Sequence, residues 1–423
     1  MRYLFGHINN RHSGPSPCSP RGGERKPLWL LLPLLLLCLT ACSSADEDLT
    51  TDTNSGEQEK TRTKLYIYVY APQTAVPTRA YPYDDVDPIG NEAKVYSLQI
   101  WVFTHTSNQL LGYFSPSETT GLNKPNGYEV YQMTIDEDYA ETEEESRENV
   151  DVYVLANVKD ANCHLTLDHT TTRAELEAAV LAHGTEEDAF GLTAPVTTVT
   201  AGVGLPMSGA LRDQKVVGSA PVLRLDNSGQ IAQVLLRRTV SKLRFAFANQ
   251  TGNEPLIINS IKLNATMIPE EQYLFMSDEN PYDRKTCHIK GSGYNTTTPE
   301  LLAAPINDVP AIAQPVIYAW GNEELEPLAY ESMLDAAAAD GNLAQRQYYL
   351  RESDKQLQGE IKYQIGETGE EQTATFQMVD KGGFSRNHIW TVYAYQAQAR
   401  LQVVVVNIAP WKTVETNYEF YNW

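Results

Sequence analysis

Side chains able to do chemistry are sparse and poorly spaced in this sequence. Cys163-His164 with His169, and Cys287-His288, are thiols and imidazoles of the kind that hold zinc. Neither segment carries a CxxC pair or an HExxH helix, the spacings that aim two ligands at one cation. The run from Asp136 to Glu148 (DEDYAETEEESRE) clusters carboxylates but lacks the D-x-[DN]-x-[DN]-G order that turns a chain around calcium, so it reads as a solvated acidic loop. Gly202, Gly204 and Gly209 miss the GxGxxG spacing of a dinucleotide loop, and there is no GxxxxGK[ST] phosphate loop and no GxSxG elbow. Met207, in Leu205-Pro206-Met207-Ser208-Gly209, reads as core rather than ligand. No catalytic, cofactor or metal site is expected, and an enzyme is disfavoured.

Charge narrows the partners further. The 33 Lys+Arg against 54 Asp+Glu give the 423 residues a formal charge of −21, which disfavours a nucleic-acid partner held through phosphates. With 24 Tyr against 10 Phe, and only 26 Gly and 23 Pro, the composition is that of a folded protein rather than a low-complexity one.

The one strong chemical signal lies near the start. After Arg25 and Lys26, the nearly all-Leu run from Leu28 to Leu39 is about 12 residues long, too short to span a bilayer and suited to a secretory signal. It ends in Leu39-Thr40-Ala41-Cys42, which resembles the lipobox of bacterial lipoproteins, with the Cys42 thiol as lipid acceptor and new N-terminus. The n-region before it is unusually long. The polar, acidic stretch Ser43 to Lys60 then reads as a solvated tether, and its Ser followed by acids resembles a surface-export signal of Bacteroides-like lipoproteins. Removing the signal and lipidating Cys42 leaves Cys163 and Cys287, either as a disulfide or as two separate thiols.

Strands must position whatever the molecule does. Lys64 to Tyr70 (KLYIYVY) sets Leu65, Ile67 and Val69 against Tyr66, Tyr68 and Tyr70 at period two. Tyr96 to Thr104 and Gln109 to Phe114 read as a hairpin, followed by strands from Tyr128 to Ile135 and Val150 to Val158. Thr172-Arg173-Ala174-Glu175 is a capping box, predicting a helix to about His183 with Leu176, Val180 and Leu181 on one face. A second helix is expected from Leu328 to Ala339. Ile231 to Phe247 reads as one long strand joining two domains near Arg238. Strand-like segments follow at Leu256 to Leu263, Pro315 to Tyr318, Gly359 to Ile365, Gln372 to Met378, His388 to Tyr395 and Arg400 to Ile408. The expected fold is mostly β, two tandem β-sandwich domains with a few short helices.

In this order the segments resemble the fimbrillin family, the major-subunit pilins of the type V pili of Bacteroidales. The features that match are the lipobox, KLYIYVY, Thr78-Arg79 before Ala80-Tyr81, YSLQIWVF, Tyr153-Val154-Leu155-Ala156-Asn157 and TRAELEAAV. They continue with the basic strand from Leu236 to Lys242, Arg386-Asn387-His388, Pro410-Trp411 and a tail ending in Trp423. The resemblance implies sandwiches of transthyretin-like or Greek-key type. It also implies an Arg-specific surface protease cutting between Arg79 and Ala80, other pilin subunits as head-to-tail partners, and an outer-membrane precursor maturing into an extracellular fimbrium.

The chain then divides into a signal with lipobox (1–42), a tether with removable first strand (43–79), an N-terminal sandwich (80–238) and a C-terminal sandwich (239–423). Cutting after Arg79 would detach KLYIYVY and the anchor, opening an apolar groove; a cut after the competing Arg62 would leave the groove closed. The tail from Lys412 to Trp423 aligns Val414, Thr416, Tyr418 and Phe420 on one face, as a donor strand for that groove requires. Donor and groove at opposite ends of one chain imply an open filament. The rival expectation is an uncleaved surface lipoprotein adhesin or fimbrial tip subunit that binds a glycan or a host or bacterial receptor.

Overall fold

Period-two alternation of apolar residues governs most of the molecule. The computed structural model describes residues 62–70, 92–115, 128–159, 163, 165–182, 198–199, 201–227, 229–249, 254–276, 287–298, 300–309, 344–378, 383–397 and 399–410, within a unit spanning Thr61–Trp423. The fold is mostly β. In chain order the first strands are β1 (Lys64–Tyr70), β2 (Leu98–Thr104), β3 (Leu110–Phe114), β4 (Tyr128–Thr134), β5 (Val150–Ala156), β6 (Val180–Ala182), β7 (Met207–Ser219), β8 (Val222–Asn227), β9 (Gln230–Ile231), β10 (Gln233–Leu235) and β11 (Arg237–Arg238). All but β6 form a ten-stranded sheet, β10-β1-β8-β7-β5-β2-β3, with β4 on β1, β9 on β8 and β11 on β7. Leu65, Ile100, Val154, Leu223 and Val234, from strands across this sheet, meet in one hydrophobic cluster, so the sheet curls around its own core.

The remaining strands are β12 (Val240–Asn249), β13 (Leu256–Leu263), β14 (Glu271–Tyr273), β15 (Ile306–Val309), β16 (Ala344–Arg351), β17 (Gln358–Ile365), β18 (Gln372–Gln377), β19 (His388–Ala397) and β20 (Arg400–Pro410). Two four-stranded sheets, β16-β12-β19-β20 and β15-β13-β17-β18, enclose a second cluster that includes Phe245, Leu350 and Trp390 from one sheet and Ile261, Tyr363 and Phe376 from the other. This is the layered arrangement of a β-sandwich. Val240 belongs to the first cluster and Leu243 to the second, so β12 begins in one core and continues in the other.

Three expectations are corrected. The stretch from Ile231 to Phe247 is not one strand but β9, β10, β11 and β12, because the chain changes partner at each break: β8, β1, β7, then β16 and β19. The helix expected to reach His183 spans only Arg173–Ala178. Its capping box is present, but Ala179 is extended and Val180–Ala182 pairs with β14, so Val180 and Leu181 are buried on a strand instead of a helix face. The acidic stretch is not a plain solvated loop. Asp136 caps a helix over Glu137–Glu141, a 3-10 turn follows at Glu144–Ser146, and the nearly buried Arg147 donates to the carbonyls of Ala140, Thr142, Val216 and Gly218. The Leu328 to Ala339 helix and the Pro315 to Tyr318 strand lie outside the described residues.

Candidate functional site

The first strand sits inside its sheet, not at the rim. On one edge all seven residues of β1 pair antiparallel with β4, from Lys64↔Thr134 to Tyr70↔Tyr128. On the other edge β1 runs parallel first to β8, at Lys64↔Val222 to Tyr66↔Arg224, and then to β10, at Tyr68↔Gln233 to Tyr70↔Leu235. The parallel neighbours cannot be joined to β1 by a hairpin, and β2 and β3 intervene in the chain before the antiparallel β4, so every neighbour of this slot is reached by a long connection.

The alternation seen in the sequence sets what the strand buries. Leu65, Ile67 and Val69 are 0–1% exposed and enter the first core beside Met133, Leu223 and Val234, while Lys64, Tyr66 and Tyr68 are half-buried on the opposite face. That face is flanked by the exposed Val130 of β4 and Val222 of β8. Three such side chains contribute roughly 1.5–3 kcal/mol each by leaving water. Further bonds fix the leading end: the Lys64 amide donates to the Pro221 carbonyl at 2.9 Å, the Lys64 ammonium donates to Thr134 Oγ1 at 2.6 Å, and the Ile135 amide donates to the Thr63 carbonyl at 3.4 Å. Emptying the slot would leave backbone groups unpaired on both of its edges and an apolar trench three side chains long.

Beyond β1 the next described residue is Glu92, which is fully buried. Lys242 donates its ammonium to Glu92 Oε1 at 2.8 Å, the Tyr349 hydroxyl donates to the same oxygen, and Arg238 Nε donates to the Glu92 carbonyl at 3.0 Å. Burial holds the Lys242 amine below its ordinary range, with the Glu92 charge opposing that shift, and pushes Arg238 down to about 10. Burial and the same carboxylate push the Tyr349 hydroxyl up. The segment 71–91 therefore joins two fixed points, the end of β1 and a buried ionic cluster.

Sequence reasoning found β1, its neighbour β4 and, within the long strand from Ile231, β10, but neither β8 nor the Glu92 cluster. Arg238 and Lys242 were legible as part of a basic strand, whereas the acid that meets them lies about 150 residues away and gave no signal. Cys42, Arg79, Ala80, Val414, Thr416, Tyr418 and Phe420 lie outside the described residues. Arg62 is exposed immediately before the buried Thr63. The Cys163 thiol points to the carbonyls of Lys159 and Leu165, and the Cys287 thiol donates to the Ser353 carbonyl at 3.1 Å, so they are separate thiols. Among the described residues no three His, Cys, Asp or Glu side chains are grouped to hold a metal ion.

A second polar cluster pins the Arg173–Ala178 helix in place. Arg173 contacts the buried Asp151 at 2.7 Å and Glu177 at 3.2 Å, His105 Nδ1 meets Asp151 at 2.8 Å, and the Tyr153 hydroxyl, pushed up to about 12 by burial and by Glu177, donates to Glu177.

No family model matches the chain, and no curated protein does. Solved structures similar to it include the tip fimbrial protein Mfa3 of Porphyromonas gingivalis with a C-terminal truncation (13% identity, 82% of this chain and 99% of that chain, TM-score 0.43). A candidate cell adhesion protein of Parabacteroides distasonis is another (14%, 84% and 98%, TM-score 0.46). A fimbrial assembly protein of the same species is a third (11%, 82% and 98%, TM-score 0.40).

Proposed function

We propose that the chain is a structural pilin of the fimbrillin type, exported as a lipoprotein through Cys42, cleaved between Arg79 and Ala80, and polymerised by strand exchange into a fimbrium that supports adhesion. The observation that carries this reading is the placement of β1 between β4 and β8/β10. A strand supplied from outside the mature body, 80–423, completes that body's own sheet and core, so its replacement by an equivalent strand from another copy joins two subunits through a buried contact. The tail supplies a candidate. It follows directly on β20, which is paired with β19 as far as Pro410, and Val414, Thr416, Tyr418 and Phe420 repeat the period-two pattern of Leu65, Ile67 and Val69.

In this reading the domains are the N-terminal sandwich, 80–238, and the C-terminal sandwich, 239–423. The partners are further copies of the same or related subunits, an Arg-specific surface protease and, before the cut, the outer membrane. The test is filament assembly by Arg79→Ala, read by electron microscopy of sheared surface material together with N-terminal sequencing. The variant is expected to remain membrane-bound, monomeric and uncut, while wild-type filaments begin at Ala80. Wild-type filaments that retain KLYIYVY would overturn the proposal in favour of an uncleaved adhesin.

A further inference from the structure

Severing the chain between Tyr70 and Glu92 removes a covalent link but none of the contacts that hold β1. We infer that after proteolysis β1 stays seated in its slot, so that the cut subunit remains bound to its own first strand, and through it to whatever anchors that strand, until an incoming strand displaces it. This rests on the exchange reading and adds a step to it: the cut licenses departure, and polymerisation performs it.

The contacts argue for retention. β1 is paired along its full length with β4, along most of it with β8 and β10, and is held at its leading end by Thr63 and Lys64, all upstream of the severed segment. Leu65, Ile67 and Val69 are 0–1% exposed, so departure without replacement exposes all three together with the trench they fill. The cut changes something else. In the intact chain β1 competes for its slot at the effective concentration of a tethered strand, which for linked modules reaches the order of millimolar, and no outside strand matches that. Once severed, β1 keeps its contacts but not that advantage, and a longer donor can exchange for it rung by rung without the slot ever standing empty. Subunits with open slots therefore do not accumulate.

The experiment uses the purified chain with a recognition sequence for a sequence-specific viral protease inserted between Thr78 and Arg79, alongside the unaltered chain treated with an Arg-specific endopeptidase. Cutting is followed on denaturing gels, and association by native mass spectrometry and size-exclusion chromatography. The expected result is complete cutting with the β1 fragment and body still co-eluting one to one, and release of the fragment only on addition of a synthetic Lys412–Trp423 peptide. Ile67→Ala should raise the rate of fragment loss after cutting by at least tenfold, while the uncut variant, though less stable, still elutes as a folded monomer.

Immediate separation of fragment and body without added peptide would overturn the inference, as would an unchanged loss rate in Ile67→Ala. The wider proposal fails separately. If the fragment is retained but the unaltered chain resists cutting at Arg79, the processing site is wrong. If the tail peptide cannot displace the fragment, the donor is wrong, and retention stands in both cases.

Discussion

Glu92 and Lys242 show how much one buried pair can govern. Both are inaccessible to water, and their cluster lies where β12 passes from the first core to the second. Removing one partner leaves the other charge buried without its main counter-charge, which typically costs about 3–5 kcal/mol, whereas replacing both with apolar side chains is often nearly neutral. Lys242→Met should therefore lower the urea midpoint strongly, and adding Glu92→Leu should recover only part of the loss, because the buried Arg238 then loses the same counter-charge. At the surface the carboxylates behave differently. Burial alone would raise Glu148, but the amides of Ser107 and Thr106 and the Ser107 hydroxyl outweigh it and hold the carboxyl low, while the Gly218 amide and Lys215 hold Glu144 low. A carboxyl depressed in the folded state stabilises the fold above its unfolded pKa, about 4.3 for Glu, and that contribution is lost as pH falls through the folded value. The melting temperature should accordingly drop below about pH 4, and Glu148→Gln should flatten part of that dependence.

Local pattern made single elements legible and left their partners hidden. KLYIYVY announced a two-faced strand, and β1 matches it from Lys64 to Tyr70 because alternation is a property of the segment itself. That the strand lies parallel to β8 and β10, contributed from more than 150 residues downstream, depends on contacts no local pattern records. The same limit explains the helix after Thr172. Its capping box is local and is present in the fold, but pairing with β14 takes over at Val180 and converts the expected last turns into a strand. Thr172→Ala should destabilise the first core by about 1 kcal/mol through loss of the cap, measurable as a fall in melting temperature. A charge within β1 should act on a larger scale. Ile67→Asp places a carboxylate in a fully buried trench, and amide hydrogen exchange should then accelerate in β4, β8 and β10 while the β12–β19 pairing stays protected.

At the scale of the molecule, the proposed donor, the tail from Lys412 to Trp423, lies beyond the described residues. Deleting Lys412 to Trp423 should give a monomer that remains folded, with unchanged circular dichroism, and that fails to lengthen in light scattering after protease treatment. Unfolding of the truncated chain would instead mark the tail as an internal strand. A body beginning at Ala80 carries 24 Lys+Arg against 47 Asp+Glu, a formal charge of −23, so association should quicken with added salt as like-charged copies are screened.

The β19–β20 ladder has a mechanical consequence. It runs in register from His388↔Pro410 to Ala397↔Arg400, interrupted by one bulge, and its last rung lies where the chain departs towards the tail. A pull on the chain beyond Pro410, directed along the strand, meets hydrogen bonds lying across the line of force, so the rungs resist together in shear. The same pull directed sideways would open them one at a time, like a zipper. A chain stretched from its tail along β20 should give way abruptly at high force in single-molecule extension rather than peel gradually.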